Sequence, residues 1–226
     1  MNKIEIEPIA YIRTDFKEKF GIPRQSGLVS ELSARIVFEP KYRNADALRG
    51  IEGFSHLWLI FDFSKAHREK WSPTVRPPRL GGNERIGVFA SRSPFRPNNL
   101  GLSCVELSEV RYSEDEGNVL IVRGADLLDM TPIYDIKPYL AYADSHPDAR
   151  CGYTDCVERK ELKVVFPDAE LLKISEDKRE ALMGCIAQDP RPSYQNDEER
   201  VYSMRFDVWD VHFKVYDNTA TVISVD

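Results

Sequence analysis

At 226 residues, with 42% apolar and 30% charged side chains, the chain can bury a sizeable core and has the balance of an ordinary globular protein. No apolar run reaches the roughly 20 residues that a membrane-spanning helix requires, and the opening MNKIEIEPIAYIR lacks a signal-peptide core, so a cytoplasmic protein is expected. The net charge of −6 excludes a uniformly basic surface, but it is unevenly spread: residues 1–110 carry 17 Lys and Arg against 13 Asp and Glu, and the remainder 14 against 24.

Ile4–Ile12 alternates apolar and polar side chains and is predicted as the first strand. The segment after it has no helical period and contains Gly21-Ile22-Pro23, so it is predicted as an ordered loop. Within it, Pro23-Arg24-Gln25 sets a guanidinium and an amide beside a fixed φ. Ala34–Phe38 is a second strand. Asn44 to Gly50 then has the Asn cap and Gly stop of one helical turn. Phe54–Phe63 is nearly all apolar and is predicted as a central strand buried on both sides, with His56 a packing residue. Asp62 breaks the run, and Phe63-Ser64-Lys65 forms a natural lip for a pocket.

Lys65–Asn83 is long, irregular and rich in Pro and Gly, which in a compact domain marks a functional or mobile connection. Lys65–Arg96 holds eight basic residues against Glu69 and Glu84, a local concentration able to attract phosphates. The stretch Ile86–Leu107 reads as two strands, Ile86–Ala90 and Leu102–Leu107, around Arg92-Ser93-Pro94-Phe95-Arg96-Pro97-Asn98-Asn99. Pro94 and Pro97 fix φ and remove two donors, while Asn98, Asn99 and Gly101 favour a turn back. Two guanidinium groups therefore sit four residues apart on a stiff loop with one aromatic ring between them, an arrangement suited to an anionic or planar ligand. A solvated connection with exposed arginines is the competing reading.

Strands Leu102–Tyr112 and Val119–Arg123 follow, then a turn at Asp126–Pro132 and a strand Ile133–Tyr139. Asp144–Tyr153 is polar and linker-like. Beyond it come a strand at Leu162–Phe166, a helix at Asp177–Ala187 with Ala181, Leu182, Cys185 and Ile186 on one side, and three strands, the last two joined at Asp217-Asn218. The expected organisation is a mainly β domain over residues 1–143 and a small α+β domain over 144–226. Cys104 and Cys185 are expected to be buried thiols. The spacing of Cys151, Cys156 and the four histidines matches no zinc set, so no metal is expected.

Six motifs in order, Glu18–Gln25, Phe54–Trp58, Arg76–Asn83, Ile86–Leu107, Asp135–Tyr139 and Ala187–Pro192, resemble those of the S-adenosylmethionine-dependent tRNA adenine N6-methyltransferases. These enzymes act on the threonylcarbamoyl-modified adenosine beside the anticodon and are built on a β-barrel. The resemblance implies a single-sheet N-terminal barrel carrying the cofactor site, tRNA as partner and a homodimer. It also implies that Pro23, Arg24, Gln25, Ser64, Lys65, Arg92, Leu102, Asp129, Met130, Thr131 and Pro132 line that site.

Chemistry supplies further candidates. The acceptor nitrogen is a poor nucleophile while it keeps its proton, so some group must accept it, the substrate's own carboxylate being one candidate. Asp135, Lys137 and Tyr139 are the candidates for holding the acceptor base; the alternative is that they pair on one strand face for stability. Arg76, Arg79, Phe95, Arg96 and Arg191, the last in the Gln188-Asp189-Pro190 loop, are the candidates for gripping an unpaired anticodon loop. A non-catalytic RNA-binding barrel and a methyltransferase with another acceptor stay open as alternatives.

Overall fold

The computed structural model describes residues 3–80, 84–156, 161–192 and 197–226; the side chain of Arg79 is outside this set. Its largest element is a six-stranded sheet closed into a barrel. In chain order the strands are β1 (Ala10–Arg13), β2 (Ser33–Phe38), β3 (His56–Asp62), β6 (Leu100–Ser113), β7 (Gly117–Arg123) and β8 (Thr131–Pro138). A two-stranded ribbon, β4 (Thr74–Val75) with β5 (Ile86–Gly87), lies between β3 and β6. The ring runs β1-β2-β7-β6-β3-β8, and β8 pairs back onto β1 through Ala10 opposite Ile133.

Closure depends on the 14-residue β6. Its first half pairs with β3, from Leu100 opposite Asp62 to Glu106 opposite His56. Its second half pairs with β7, and the register shifts between Leu107 and Glu109. An irregularity of that kind bends a strand and increases its twist, which lets one strand belong to two walls. Inside, Ala10, Ile12, Ile36, Leu57, Leu59, Leu120, Val122 and Ile133 are fully buried.

Several expectations need correction. The first strand begins at Ala10, not Ile4; Ile4 and Ile6 are exposed, because the chain opposite turns away at Pro40 and leaves no strand to pair with them. Ile86–Ala90 is two strand residues followed by a 3-10 turn over Val88–Ala90. The strand at Phe54–Phe63 is buried on one side only: Leu57, Leu59 and Phe61 face the core, while Trp58 and Ile60 face outward and are half-buried. His56 is exposed and packs its ring 6.1 Å from that of Tyr139. Cys104 also faces outward and is half-buried, whereas Cys185 is buried as expected.

After a single turn, α1 (Ala141–Asp144), the chain builds a second sheet. It uses β9 (Lys163–Val165), β10 (Tyr202–Phe206), β11 (Trp209–Tyr216) and β12 (Thr219–Val225), in the order β10-β11-β12-β9 with β9 parallel to β12. A short α2 (Asp168–Leu171), not expected from the sequence, precedes α3 (Glu176–Ala187). The face of α3 bearing Ala181, Leu182, Cys185 and Ile186 is buried. The β11–β12 turn places Asp217 and Asn218 at φ of 40° and 59°, the left-handed pair of a tight hairpin.

This second core is not confined to the C-terminal half. Phe16, Val29 and Leu32, from the loop between β1 and β2, are buried in it. The buried Asp15 carboxylate accepts two hydrogen bonds from Lys178 of α3, at 2.7 and 2.6 Å. Gly21, at φ +96°, presses against Met204 so closely that a Cβ there would lie 2.3 Å from its sulfur. Met204 is itself fully buried, so the loop is locked to the second sheet by close packing.

Gly21→Ala would combine a strained φ with overpacking and is expected to cost about 1–3 kcal/mol of stability. Urea unfolding checks this; an unchanged midpoint would show that the loop does not lock onto the second sheet.

A candidate active-site cavity at the barrel rim

The start of β6 lies beside a cavity of about 540 Å³, within the range of small-molecule sites. Three segments wall it. The 19–25 loop contributes Lys19, Ile22, Pro23, Arg24 and Gln25; the exit of β3 contributes Asp62 to Ala66; the proline loop contributes Ser91, Arg92, Pro94 and Arg96. Its floor combines Leu100, Leu102 and Trp58 with Phe61, Leu127 and Thr131. Gly101 is required here: a Cβ would lie 2.2 Å from the buried Phe61 ring.

The walls are tied to each other. Asn99 Nδ2 donates to the Pro94 carbonyl at 2.7 Å and to the Ala66 carbonyl at 3.3 Å, and Phe63 N donates to the Asn99 carbonyl at 2.8 Å. Lys19 Nζ donates to the Lys65 carbonyl at 2.9 Å, fixing the first loop to the lip. Arg92 donates to the Gln25 side-chain oxygen, and Arg24 Nη2 donates to the Arg191 carbonyl at 3.2 Å. Arg191 is in turn clasped by Asp189 through two bonds of 2.7 and 2.9 Å. A loop of the second sheet thus supports a wall residue of the cavity.

Of the eleven residues assigned to a cofactor by resemblance, Pro23, Arg24, Gln25, Ser64, Lys65, Arg92, Leu102 and Thr131 line this one space. Asp129, Met130 and Pro132 do not line it. Asp129 pairs with Lys17 at 2.8 Å and accepts from Thr14 N, Met130 is exposed at φ 61°, and Pro132 sits in the β1–β8 ladder opposite Tyr11. The same turn offers Asp126 and Leu128 to the cavity instead, because the chain faces inward before it rises into β8.

Asp135, Lys137 and Tyr139 lie one strand away. Lys137 Nζ pairs with Asp135 at 2.9 Å. Across the outer barrel face, Asp135 is opposite Ile60, itself opposite Leu102, and Lys137 is opposite Trp58. Tyr139 packs 5.9 Å from the Trp58 ring. The trio therefore adjoins the cavity across Trp58 and Ile60, and the pairing expected of the stability reading is present alongside this placement.

The arginine loop is organised differently from its sequence reading. Arg96 Nη1 donates to the carbonyls of Ser91 at 2.7 Å and Val88 at 3.3 Å, so its guanidinium holds the loop together. The Phe95 ring is covered by the Arg68 guanidinium, 3.6 Å from its centroid. Arg76 is exposed, and the expectation for the Arg79 side chain falls outside the described residues. Exposed rings are found instead at Trp71 and Phe89, with centroids 6.3 Å apart.

Sequence reasoning missed two groups. His67 Nε2 lies 2.7 Å from Asp62 Oδ1, an imidazole–carboxylate pair at the lip whose signal was the polar residue ending an apolar strand. Asp126 receives Ser103 Oγ at 2.6 Å, and burial pushes its pKa up against that hydrogen bond. Its only sequence trace was an acidic residue just after a strand.

Comparison with known proteins adds the following. Residues 11–145 match the family model described as the tRNA-methyltransferase O N-terminal domain, and residues 160–226 match the TrmO C-terminal domain. A relative from Escherichia coli K12, named tRNA (adenine(37)-N6)-methyltransferase, is 42% identical over all of this chain and 99% of its own length. One of the same name from Eikenella corrodens is 46% identical over 76% of this chain and 97% of its own. The crystal structure of TrmO from Pseudomonas aeruginosa superimposes with a TM-score of 0.80 at 33% identity, covering 100% of both chains.

Arg96→Lys keeps the charge but loses the planar fork that reaches the loop carbonyls. Amide exchange across residues 88–96 is expected to speed up by about tenfold for each 1.4 kcal/mol lost. Unchanged exchange would show that the loop holds its shape without the guanidinium.

Proposed function

The chain belongs to the tRNA-methyltransferase O family, and on that premise we propose that it methylates N6 of threonylcarbamoyladenosine beside the anticodon of tRNA. It is an S-adenosylmethionine-dependent tRNA adenine-37 N6-methyltransferase at the level its full-length relative shares with it. The observation that carries the finer reading is the convergence of three separate wall segments and the barrel floor, together holding eight of the eleven positions assigned by resemblance, on one cavity large enough for a nucleoside with an amino-acid tail.

The residues present fit that cofactor. Arg92 and Lys65 offer cations for a carboxylate, Leu100, Leu102 and Trp58 offer apolar surface for a planar base, and Pro23 is a buried, rigid wall. When bound, S-adenosylmethionine supplies an electrophilic methyl group on a positively charged sulfur. The protein's part is to hold donor and acceptor in line and keep water out. Asp135, Lys137 and Tyr139 hold the acceptor on the outer barrel face, next to Trp58. The Asp62–His67 pair at the lip is a second place where a proton could be received: an Nε2–H donated to Asp62 leaves Nδ1 free to accept.

Residues 1–143 carry the transfer in this reading, and 144–226 buttress the wall through Arg191 and the second core. The tRNA loop docks along the basic ribbon region. Lys70, Arg76 and Arg85 provide exposed or nearby charge there, and Trp71 with Phe89 provides the stacking surface that Phe95, already covered, does not. The exposed apolar side chains of Leu100 and Leu102 beside the cavity support a homodimer that covers this face.

Mass spectrometry of nucleosides from tRNA incubated with the protein and S-adenosylmethionine decides the substrate. Methylation is expected only on tRNA that already carries the threonylcarbamoyl group; equal methylation of unmodified adenosine 37 would sink the finer reading. Asp135→Ala is expected to lower turnover by about a hundredfold or more while cofactor affinity and fold are kept. A fully active variant would return the trio to a purely structural role.

A further inference from the structure

Asp144, the first residue of the polar stretch that follows the barrel, reaches back onto it. Its contact there is Trp58, which lines the cavity and also adjoins the trio of Asp135, Lys137 and Tyr139. Trp58 is opposite Lys137 on β8 and Cys104 on β6. An indole on a sheet face can turn about its side-chain bonds unless both its face and its edge are held. Tyr139 holds the face, with ring centroids 5.9 Å apart and planes tilted by 46°. Asp144 holds the edge, its Oδ2 accepting from Trp58 Nε1 at 3.1 Å. An indole has a single polar donor, so the partner of that N–H decides which way the ring is turned.

The path of the chain out of β8 brings Asp144 to this place. Tyr139 N donates to the His56 carbonyl at 2.9 Å, which keeps the chain against β3 just past the end of the ladder. The turn α1 then reverses direction, Ala143 N and Asp144 N donating to the Leu140 carbonyl at 2.9 and 2.8 Å. The same Asp144 Oδ2 also accepts from Leu140 N at 2.8 Å. One oxygen thus ties the backbone just after Tyr139 to the indole of Trp58. The Leu140 amide, and after it the indole N–H, hold the Asp144 carboxyl below the usual carboxylate range, so the acceptor is charged at neutral pH.

We propose that Asp144 is a positioning residue for methyl transfer, acting through Trp58. It fixes the indole as the platform that keeps the acceptor base in line with the donor cavity. In-line transfer is sensitive to such placement, since a shift of about 1 Å can cost on the order of a hundredfold in rate. The proposal rests on the reading of the outer face beside Trp58 as the acceptor's seat. It gives a task in the reaction to the first residue beyond 143, where the barrel domain was expected to end.

Two readouts test it. The indole N–H resonance of Trp58, identified by its disappearance in Trp58→Phe, is expected to move in Asp144→Ala. It stays near its wild-type position in Asp144→Asn, which keeps an acceptor oxygen. An unmoved resonance in Asp144→Ala would overturn the proposal. In methylation of tRNA, Asp144→Ala is expected to lower kcat about tenfold, with KM for tRNA and calorimetric affinity for S-adenosylmethionine changed by less than about threefold. Asp144→Asn is expected to restore most of kcat. Trp58→Phe keeps an aromatic face without the N–H; it loses at least as much kcat, and Asp144→Ala costs nothing further in that background. The same loss in both backgrounds, or a loss confined to KM, would overturn the role. A fully active Trp58→Phe does so even if Asp144→Ala fails to fold. A moved resonance with unchanged kcat would sink the proposal and leave the acceptor-seat reading standing. A fully active Asp135→Ala would remove that reading, and the proposal with it.

Discussion

Everything at the rim follows from the demand on β6 to pair with β3 over its first half and with β7 over its second. A straight strand cannot do this, so the ladder slips by one residue between Leu107 and Glu109. The bend brings β1 and β8 together and closes the ring. It also fixes the direction in which the first residues of β6 leave the barrel. Gly101 must then pass the Phe61 ring, Ser103 turns to Asp126, and Leu102 is left facing outward. Barrel closure and cavity shape are one geometrical problem.

The electrostatics of the site are divided between groups that organise and groups that remain available. Arg96 is engaged by backbone carbonyls, Asp129 by Lys17 and a backbone amide, and Asp62 by His67. These side chains hold loops that contain little regular structure, where unpaired backbone carbonyls would otherwise be costly. Arg92 is exposed and donates to the side-chain oxygen of Gln25, and Asp126 accepts from the neutral Ser103 hydroxyl. The charges facing the cavity are thus of opposite sign and adjacent, a polarity suited to a ligand that is itself zwitterionic.

Much of this was readable from residue order, and the failures have definable causes. Alternation marks β2 and β12, a continuous apolar run marks β7, and Asn44 caps its turn by accepting from Asp46 N as its position suggests. Asp217-Asn218 forms the tight turn that its residue types favour. Strand pairing cannot be read locally, so Ile4–Ile12 reads as one strand although only the part from Ile9 onward is bonded to the chain on either side. Arg92 and Arg96 are identical in type, four residues apart and both at the cavity wall, yet the Arg96 guanidinium is taken up by its own loop; the difference comes from which carbonyls surround Arg96. Asp126 was overlooked for the same reason, since its importance comes from Ser103 and Arg92, both distant in sequence.

The loop that carries Pro23, Arg24 and Gln25 leaves the barrel, inserts Phe16, Val29 and Leu32 into the other core, and returns. Cutting the chain after residue 143 would therefore do more than subtract an appendage. It would strip water-excluding cover from three apolar side chains, remove the ammonium partner of Asp15 and take away the carbonyl that steadies Arg24. A shortened version would need replacement side chains along this excursion before its remaining half could grip a small molecule, so the two halves are bound to change together.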